Sequence, residues 1–225
     1  IESGTSATVQ INVTLNRGQI VGKTVGGIWV PSTLQDYRAG AATKYIIGGT
    51  DMGLTASRTI TNFQIIDGTN TWTYSSNYDV GPQPVDSLGA NYNTPLVSGT
   101  LSSSTSLTGR RKAFYGSDSV SDVPYTASSQ VRTLAGVSWS PANATTFTIN
   151  IPVGAKMVVF AYPSTLRDVN SVTYTEGLFA EVKSIFTQTT VSVEAANGYS
   201  PTNYKVYTYV PASPFSATAT YNVTI

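Results

Sequence analysis

The chain has 225 residues, 40% of them apolar, and a formal net charge of +1 from 13 basic and 12 acidic side chains. This length and composition predict a globular protein with a substantial core. Charged residues make up only 11%, against about 25% in an ordinary soluble domain, a shortage typical of extracellular or particle-borne β-proteins. The near-neutral charge argues against a nucleic-acid partner, and no apolar run reaches the ~18 residues of a membrane span.

The sequence contains neither cysteine nor histidine. Without cysteine there are no disulfides, thiolate metal sites or cysteine nucleophiles. Without histidine the commonest general base, the Ser-His-Asp triad and imidazole metal ligands are excluded as well. We therefore expect a protein that is not an enzyme and that needs no cofactor or metal. The first residue is Ile1, and we expect a processed form or a fragment.

Apolar and polar residues alternate with period two along most of the chain. In Ala7–Leu15 the apolar side chains share one face and the polar ones the other, which predicts a half-buried antiparallel strand. Met157–Tyr162 is continuously apolar and predicts a central strand. The alternating pattern predicts further strands at Thr59–Ile65, Thr145–Ile151, Lys205–Val210 and Ala217–Ile225.

The segment GQIVGKT, Gly18–Thr24, is close in sequence to a phosphate-binding loop. That motif needs an earlier glycine at position 17, where Arg17 stands, and it must open a helix whose amides face the phosphate. The residues that follow are rich in glycine and β-branched side chains and end at Pro31, which disfavours a helix. We predict a turn or loop after the first strand and no nucleotide site.

Turn signals separate the strands and no amphipathic helix of three turns is evident. One or two helical turns are predicted at Ser32–Gly40 and at Ser128–Gly136. Many short strands predict an all-β fold of two β-sandwich-like modules, immunoglobulin-like or jelly-roll-like, made of short antiparallel strands. The polar join after Ile66 divides them into an N-terminal β-module, 1–66, and a larger sandwich domain, 67–225. Turns are predicted at Asp67–Asn70, Gly81–Pro84 and Ala196–Pro201.

Acidic residues raise the question of glycoside hydrolysis or calcium binding. Two carboxylates hydrolyse glycosides when they face each other ~5–9 Å apart, but in strand-rich segments they more often lie on solvent faces. The segment DSVSD, Asp118–Asp122, spaces oxygen ligands as Ca²⁺ would need. It lacks the glycine and distal glutamate of an EF-hand loop, so a solvated turn is the preferred interpretation. The candidate catalytic carboxylates are Asp168, Glu176, Glu181 and Glu194.

Aromatic side chains near predicted turns have two interpretations. They can form stacking platforms for sugars, or they can fill sheets and subunit interfaces, which is the preferred use. The residues in question are Trp29, Trp72, Trp139, Tyr74, Tyr78, Tyr92 and Tyr125.

The segment Gly109–Asp118, GRRKAFYGSD, places three cations at consecutive positions. In a strand, Arg110 and Lys112 would share one face while Arg111 lies on the other with Ala113. Arg111 is then expected to pair with a buried carboxylate or with main-chain carbonyls. The alternative is a solvated edge that blocks further strand pairing.

Three segments in this order carry a resemblance to a known family: GPQPVDSLGANYNTPLVSGTLSSSTSLTGRRKAFYGSD, IPVGAKMVVFAYPSTLRDVNSV and VEAANGYSPTNYKVYTYVPASPFSATATYNVTI. From about Trp72 to Ile225 the chain resembles the C-terminal β-modules of structural proteins of tailed bacteriophages, particularly baseplate, tail-fibre and appendage proteins. Arg110 stands where an aromatic residue is expected. The resemblance marks a structural motif that consists of Arg111, Lys112, Phe114, Tyr115 and Gly116.

The resemblance implies a non-enzymatic virion part, exposed outside the host cell, without catalytic residues or cofactor. Its implied partners are other virion proteins, copies of itself and a host surface glycan, with no nucleic acid and no membrane insertion. Three alternatives stay open: a glycan receptor-binding module, a bacterial surface adhesin domain and a glycan-cleaving appendage.

Overall fold

The structure, a computed structural model, describes residues 1–17, 21–25, 28–35, 39–84, 91, 94–138, 146–176 and 179–225, with only the course of the strands for 21–25 and 28–35. Within these residues the fold is all-β, as predicted, with one short helix, α1 (Ser128–Arg132), and 3-10 turns at Lys183–Ile185 and Ala196–Gly198. The strands in chain order are β1 (Ser6–Asn12), β2 (Val21–Val25), β3 (Ile28–Gln35), β4 (Ala42–Ile47), β5 (Thr50–Asp51), β6 (Ser57–Gln64), β7 (Gly68–Tyr78), β8 (Gly99–Gly109), β9 (Lys112–Asp118), β10 (Ala135–Ser138), β11 (Thr146–Ile151), β12 (Met157–Pro163), β13 (Ser171–Tyr174), β14 (Ala180–Glu181), β15 (Thr187–Val193), β16 (Thr202–Tyr209) and β17 (Ala219–Thr224).

The chain folds into two compact units drawn from non-contiguous segments. Unit 1 contains Ile1–Ser6, Gln64–Thr69 and Thr108–Ile225, and unit 2 contains Ala7–Phe63 and Asn70–Leu107. These units differ from the modules 1–66 and 67–225 that the sequence predicts. The physical reason is long-range strand pairing, since β7, beyond the predicted boundary, pairs antiparallel with β4 before it.

Unit 1 is a sandwich of two sheets. One has five strands in the order β10-β9-β12-β16-β15, and the other has four in the order β11-β17-β13-β14. Alternate residues of both sheets meet in a core rich in aromatic rings, as sheet-on-sheet packing requires. Within that core the Phe160 and Tyr207 rings stack with centroids 4.8 Å apart. The buried members include Phe147, Ile149, Val158, Phe160, Val172, Tyr207, Tyr221 and Val223.

Strand β12 is buried on both faces, as its continuous apolar run predicts. It lies between β9 and β16 in the five-stranded sheet, and all of its residues are buried. Val158, Phe160 and Tyr162 face the core between the sheets, while Met157, Val159 and Ala161 enter a second cluster on the opposite face. Two-sided burial explains why the run shows no polar alternation.

Helix α1 and its neighbouring segments cover the outer face of the five-stranded sheet. Val131 of α1 is fully buried in the second cluster with Tyr125, and Leu134 packs against them. The Gln130 side-chain oxygen accepts hydrogen bonds from the main-chain N–H groups of Thr126 and Ala127, both at 3.0 Å. These bonds satisfy donors at the start of the helix that would otherwise lack partners.

Unit 2 is built from smaller sheets. Its four-stranded sheet has the order β5-β4-β7-β8, and two further pairs, β1-β6 and β2-β3, accompany it. A compact apolar cluster joins the β1-β6 pair to the four-stranded sheet, with Ile11, Val13, Ile47 and Trp72 buried in it. The Trp72 ring meets Phe63 edge-on at 4.9 Å.

The alternation predicted for Ala7–Leu15 is confirmed. Ile11 and Val13 are buried and Val9 is half-buried, whereas the polar residues between them are exposed. The alternation continues past the last ladder residue, Asn12. The strands predicted at Thr59–Ile65, Thr145–Ile151, Lys205–Val210 and Ala217–Ile225 correspond to β6, β11, β16 and β17.

Two local predictions are wrong where strand pairing overrides local preference. Ser32–Gln35 lies in β3 instead of a helical turn, because it pairs with β2; residues 36–38 lie outside the described part of the chain. Gly68–Asn70, predicted as a turn, opens β7. The helical turn predicted at Ser128–Gly136 is confirmed by α1.

The segment that is close in sequence to a phosphate-binding loop is partly a strand. Val21–Thr24 lies in β2 instead of the predicted turn, and residues 18–20 lie outside the described part of the chain. The next element is β3, a strand that pairs antiparallel with β2. The helix N-terminus that a phosphate-binding loop requires is therefore not the element that follows.

Candidate functional site

The predicted structural motif lies at the start of β9 and comprises Arg111, Lys112, Phe114, Tyr115 and Gly116. Strand β9 begins at Lys112 and pairs with β10 and β12. Arg111 precedes the strand, so the expected strand face shared by Arg111 and Ala113 does not form. Arg111 contacts Asp67 and Tyr199, whereas Ala113 packs in the core between the sheets.

The aromatic residues of the motif pack in opposite layers. Phe114 is buried under α1 with Val131, and Tyr115 stacks on Phe147 in the sandwich core with ring centroids 5.1 Å apart. A side chain at Gly116 would place its Cβ 3.3 Å from a methyl group of Leu134. These three positions therefore serve packing between layers.

Arg111 forms the first of two ion-pair groups at this end of unit 1. Its Nε and Nη2 atoms lie 2.7 Å and 2.6 Å from Oδ2 of Asp67. The Arg111 side chain is only 10% exposed, while Asp67 is 44% exposed. Nη1 of Arg111 is buried without a hydrogen-bond partner among the described residues. The guanidinium lies 5.8 Å from the ring centre of Tyr199, and this cation–π contact offsets part of the missing bond.

Glu2 forms the second group by bridging two basic residues remote in sequence. Its Oε2 lies 2.9 Å from Nζ of Lys112, and its Oε1 lies 2.9 Å from Nη1 of Arg132. The same Arg132 nitrogen donates to the main-chain oxygen of Glu194 at 2.9 Å. Glu2 is 9% exposed, so the bridge fixes the first residues of the chain onto β9 and α1.

The pKa of the Glu2 carboxyl lies below its usual value. Burial by itself raises this pKa, because it disfavours the charged form, but the hydrogen bonds from Lys112 and Arg132 outweigh it. Glu2 therefore stays ionised at neutral pH while it is buried. Both oxygens of this buried carboxylate are bound to cations, so the group holds the first residues of the chain to β9 and α1.

Main-chain hydrogen bonds continue this attachment of the first residues. Ser3 donates to the oxygen of Arg110 at 3.0 Å, and Gly4 donates to the oxygen of Ile65 at 2.7 Å. The Ser3 hydroxyl also donates to Asp67. Gly4 has a φ of +83°, and a Cβ there would lie 2.2 Å from the main-chain oxygen of Ala196, so only glycine fits this position.

A cleft of about 280 Å³ adjoins the Arg111–Asp67 pair within unit 1. Besides that pair, Thr108, Pro163 and Leu166 line it. Arg110 lines it as well. The cleft is mainly apolar, and Arg111 and Asp67 at its edge bind each other, so it has the character of a packing recess.

Two of the four candidate catalytic carboxylates, Asp168 and Glu181, line the same cleft in unit 1, and each also has a hydrogen-bond partner of its own. Asp168 lies 2.6 Å from Nζ of Lys205. Oε1 of Glu181 accepts main-chain hydrogen bonds from Val172 and Lys183 at 3.1 Å and 2.8 Å. The remaining two, Glu176 and Glu194, are exposed.

The segment Asp118–Asp122, for which a solvated turn is the preferred interpretation over a calcium loop, begins at the end of β9 and is held by hydrogen bonds to Asp118. Oδ1 of Asp118 accepts from the main-chain N–H groups of Val120 and Ser121, and Oδ2 accepts from the Tyr125 hydroxyl at 2.8 Å. Burial raises the pKa of Asp118, and these bonds lower it further than burial raises it. In the described residues, His, Cys, Asp and Glu form no group of three placed to hold a metal.

Of the aromatic residues considered as stacking platforms or as packing residues, some are buried and some are half-buried. Trp72 and Tyr125 are buried, at 7% and 3% exposed, and cannot stack on an external sugar. Tyr74 and Tyr78 are half-buried. The side chains of Trp29, Trp139 and Tyr92 lie outside the described part of the chain.

Comparisons with protein-family models, with curated proteins and with solved structures give no significant match for this chain. None of the helices in the described ranges combines the length and the apolar character needed to cross a membrane.

Sequence reasoning missed the acidic halves of both ion-pair groups. Glu2 lies 110 positions before its partner Lys112 in β9. Asp67 lies 44 positions before its partner Arg111, which directly precedes β9. No local pattern connects such positions. The basic run at Arg110–Lys112 was the one available signal, because buried cations require acceptors.

Proposed function

We propose that this chain is a non-enzymatic structural part of a tailed-phage virion, in a tail fibre, baseplate or other appendage outside the host cell. In this role it contributes to assembly through contacts with other virion proteins and with copies of itself, and to host attachment. The observation that carries the proposal is that the chain passes repeatedly between its two units, and that its segments in unit 1 are joined to one another by hydrogen bonds and ion pairs.

The chain passes between the units four times, after Ser6, Phe63, Thr69 and Leu107. Two domains in tandem would be joined by a single linker. Here four chain crossings connect the units, and each unit is assembled from non-contiguous segments. This connectivity suits a part that must keep its form in an extracellular particle.

Within unit 1 the three segments next to these passages are bonded to one another. Gly4 donates to Ile65, and Ile65 donates back to Thr5 at 3.0 Å. Asp67 binds Arg111 and accepts from the Ser3 hydroxyl. The buried charges of this region therefore hold chain segments together, which supports a structural role over a catalytic one.

The composition supports the same proposal. The chain has no cysteine, so cohesion must come from packing. In unit 1 an aromatic core and a central strand buried on both faces supply it. The class of particle in the proposal comes from the resemblance of Trp72–Ile225 to structural proteins of tailed bacteriophages.

The test is immunogold electron microscopy of the source culture, with antibody raised against this chain. We expect gold on the tails, fibres or baseplates of phage particles. Labelled cell envelopes beside unlabelled particles would contradict the proposal and favour a bacterial surface adhesin.

A cleft in unit 1 favours glycan binding as a second candidate function. It has a volume of about 660 Å³ and is lined by Asp168, Asn170, Glu181, Lys183 and Gln188, among others. Amide and carboxylate side chains are the hydrogen-bonding groups that sugar hydroxyls require. Two aromatic residues, Phe186 and Tyr207, also border it, but they are 8% and 5% exposed and offer little ring surface for stacking.

Glycan-array binding with matched variants tests this second candidate. Gln188→Ala removes an amide from the cleft, while Thr190→Ala changes an exposed residue of the same strand that does not line it. We expect Gln188→Ala alone to weaken binding to the glycan that the wild type selects. An absence of glycan binding, or equal loss in both variants, contradicts a sugar site in this cleft. Unchanged binding after Glu181→Gln, with no hydrolysis in the wild type, would remove the glycan-cleaving alternative.

A further inference from the structure

Strand β8 of the four-stranded sheet in unit 2 is an exposed edge. It stands at the end of the order β5-β4-β7-β8 and pairs only with β7 among the described strands. Residues 100–106 are all exposed, on both faces of the strand. An edge of this kind presents main-chain N–H and C=O groups that can pair with a further strand.

Nothing in β8 protects this edge. Natural edge strands are shortened, or carry lysine, proline or inward-pointing charges that prevent pairing. Strands β5 and β14, at two other sheet ends, are only two residues long. By contrast β8 has 11 residues and contains neither a charge nor a proline. A long uncharged edge is suited to receive a strand.

The sequence of β8 reads almost identically in both directions. Gly99–Gly109 is G-T-L-S-S-S-T-S-L-T-G, and only the Ser103/Thr105 positions differ between the two readings. In an antiparallel pair related by a two-fold axis, residues at equal distances from the axis lie opposite each other. With the axis at Ser104, each residue of β8 meets its own type in a second copy, apart from Ser103 opposite Thr105.

We propose that β8 pairs antiparallel with β8 of a second copy of this chain, about a two-fold axis at Ser104. The two four-stranded sheets then form one continuous sheet. The proposal concerns the purified chain in solution and does not depend on the phage assignment.

The opposed residues are compatible on both faces of the paired strands. Leu101, 50% exposed, meets Leu107 of the second copy, and this pair recurs on the other side of the axis. On the other face every opposed pair consists of Ser or Thr, and such hydroxyl pairs favour strand association. No charges face each other. Because Gly109 is buried, the pair extends at most over residues 100–108 and supplies roughly eight main-chain hydrogen bonds, within the range of a typical protein interface.

A single introduced cysteine tests the register, because the chain has no cysteine of its own. In Ser104→Cys the new thiol lies opposite its own copy, with Cα atoms about 4.5–5.5 Å apart, within disulfide reach. In Ser102→Cys, also exposed and on the same face, the two thiols lie about 14 Å apart along the paired strands. We expect a disulfide-linked dimer on mild oxidation of Ser104→Cys and little or none from Ser102→Cys. Equal cross-linking of the two variants, or none in either, overturns the proposal.

Sedimentation of charge variants tests the same register without cross-linking. S103K/T105K places lysines opposite each other twice across the axis, whereas S103K/T105E places lysine opposite glutamate twice. We expect the wild type to dimerise, S103K/T105K to dimerise at least tenfold more weakly, and S103K/T105E to keep the wild-type affinity or exceed it. Far-UV circular dichroism verifies that each variant is folded. A wild type that stays monomeric at high concentration, or equal association of both double variants, overturns the two-fold β8 pair. A monomeric wild type is also the result expected if the strand of a different protein occupies this edge.

Discussion

Glu2→Gln is the most informative single change, because it removes one charge from a bridge between segments that are far apart in sequence. The wild-type carboxylate contacts Lys112 and Arg132, both at 2.9 Å. Glutamine keeps the size of the side chain and one oxygen acceptor. The change therefore isolates the contribution of the charge from that of packing.

The expected loss follows from burial and from the number of bonds. A hydrogen bond to a charged group contributes about 1.5–3 kcal/mol, and breaking a fully buried ion pair costs about 3–5 kcal/mol. Lys112 and Arg132 remain 33% and 27% exposed, so water solvates them after the change and reduces the cost. We expect Glu2→Gln to lower the free energy of unfolding by about 2 kcal/mol.

The effect of Glu2→Gln must also depend on pH in a defined direction. Because the folded-state pKa of Glu2 is lowered from its ordinary value of 4.5, the carboxylate contributes stability above that ordinary value. This contribution is lost as the pH falls through the folded-state pKa. As the pH falls below 4.5, the wild type should therefore lose stability more steeply than the variant, until the two curves converge.

Urea unfolding followed by tryptophan fluorescence and circular dichroism at several pH values measures both effects. Asp168→Asn is the matched control, since Asp168 lies closer to its cation, 2.6 Å from Lys205, but is 74% exposed. Exposed pairs contribute little, and we expect a much smaller change than for Glu2→Gln. If the two variants lose equal stability, or if Glu2→Gln keeps the full pH dependence of the wild type, the assignment of Glu2 as a buried bridge is refuted.

Three further changes probe other contacts in unit 1. Gly109→Ala places a Cβ 2.0 Å from a main-chain oxygen and should cost about 3 kcal/mol of unfolding free energy. Gly116→Ala is the control and should cost less, because its Cβ meets only a movable leucine methyl at 3.3 Å. Equal losses in the urea assay would contradict the close approach at Gly109. Tyr204→Phe removes the hydroxyl that donates to a main-chain carbonyl at 2.8 Å and should cost about 1–2 kcal/mol; an unchanged urea midpoint would argue against that bond. Burial and the neighbouring Asp118 carboxylate raise the pKa of Tyr125 to about 12, so Asp118→Asn should lower this pKa. Ultraviolet titration of the wild type and the variant measures the shift as a difference between the two curves, and identical curves would contradict the contact.

The central strand shows how much of the fold local sequence predicts. The run at Met157–Pro163 has apolar residues at every position, and only a strand covered on both faces buries all of them. The alternation at Ala7–Leu15 likewise predicts one buried face, which Ile11 and Val13 confirm. Such patterns are local, because side-chain direction along a strand depends only on residue parity.

The candidate site could be predicted only in its basic half. Three adjacent cations imply acceptors, but nothing in the sequence indicates which acids supply them. Asp67 lies in a segment predicted as a turn at a module boundary, yet it binds Arg111 within unit 1. Glu2 belongs by sequence to the predicted N-terminal module, yet it bridges Lys112 and Arg132.

The sequence by itself therefore determined the all-β class, the positions of the regular strands and the two-sided burial of β12. It also contains the near-symmetry of β8, whose meaning depends on that strand being an exposed sheet edge. Only the tertiary structure decided the boundaries of the two units, the identity of the ion-pair partners and which strand is left at an edge. The physical reason is that side-chain periodicity is local, whereas strand order and ion pairing depend on which distant segments meet, and the sequence does not encode those meetings in any local pattern.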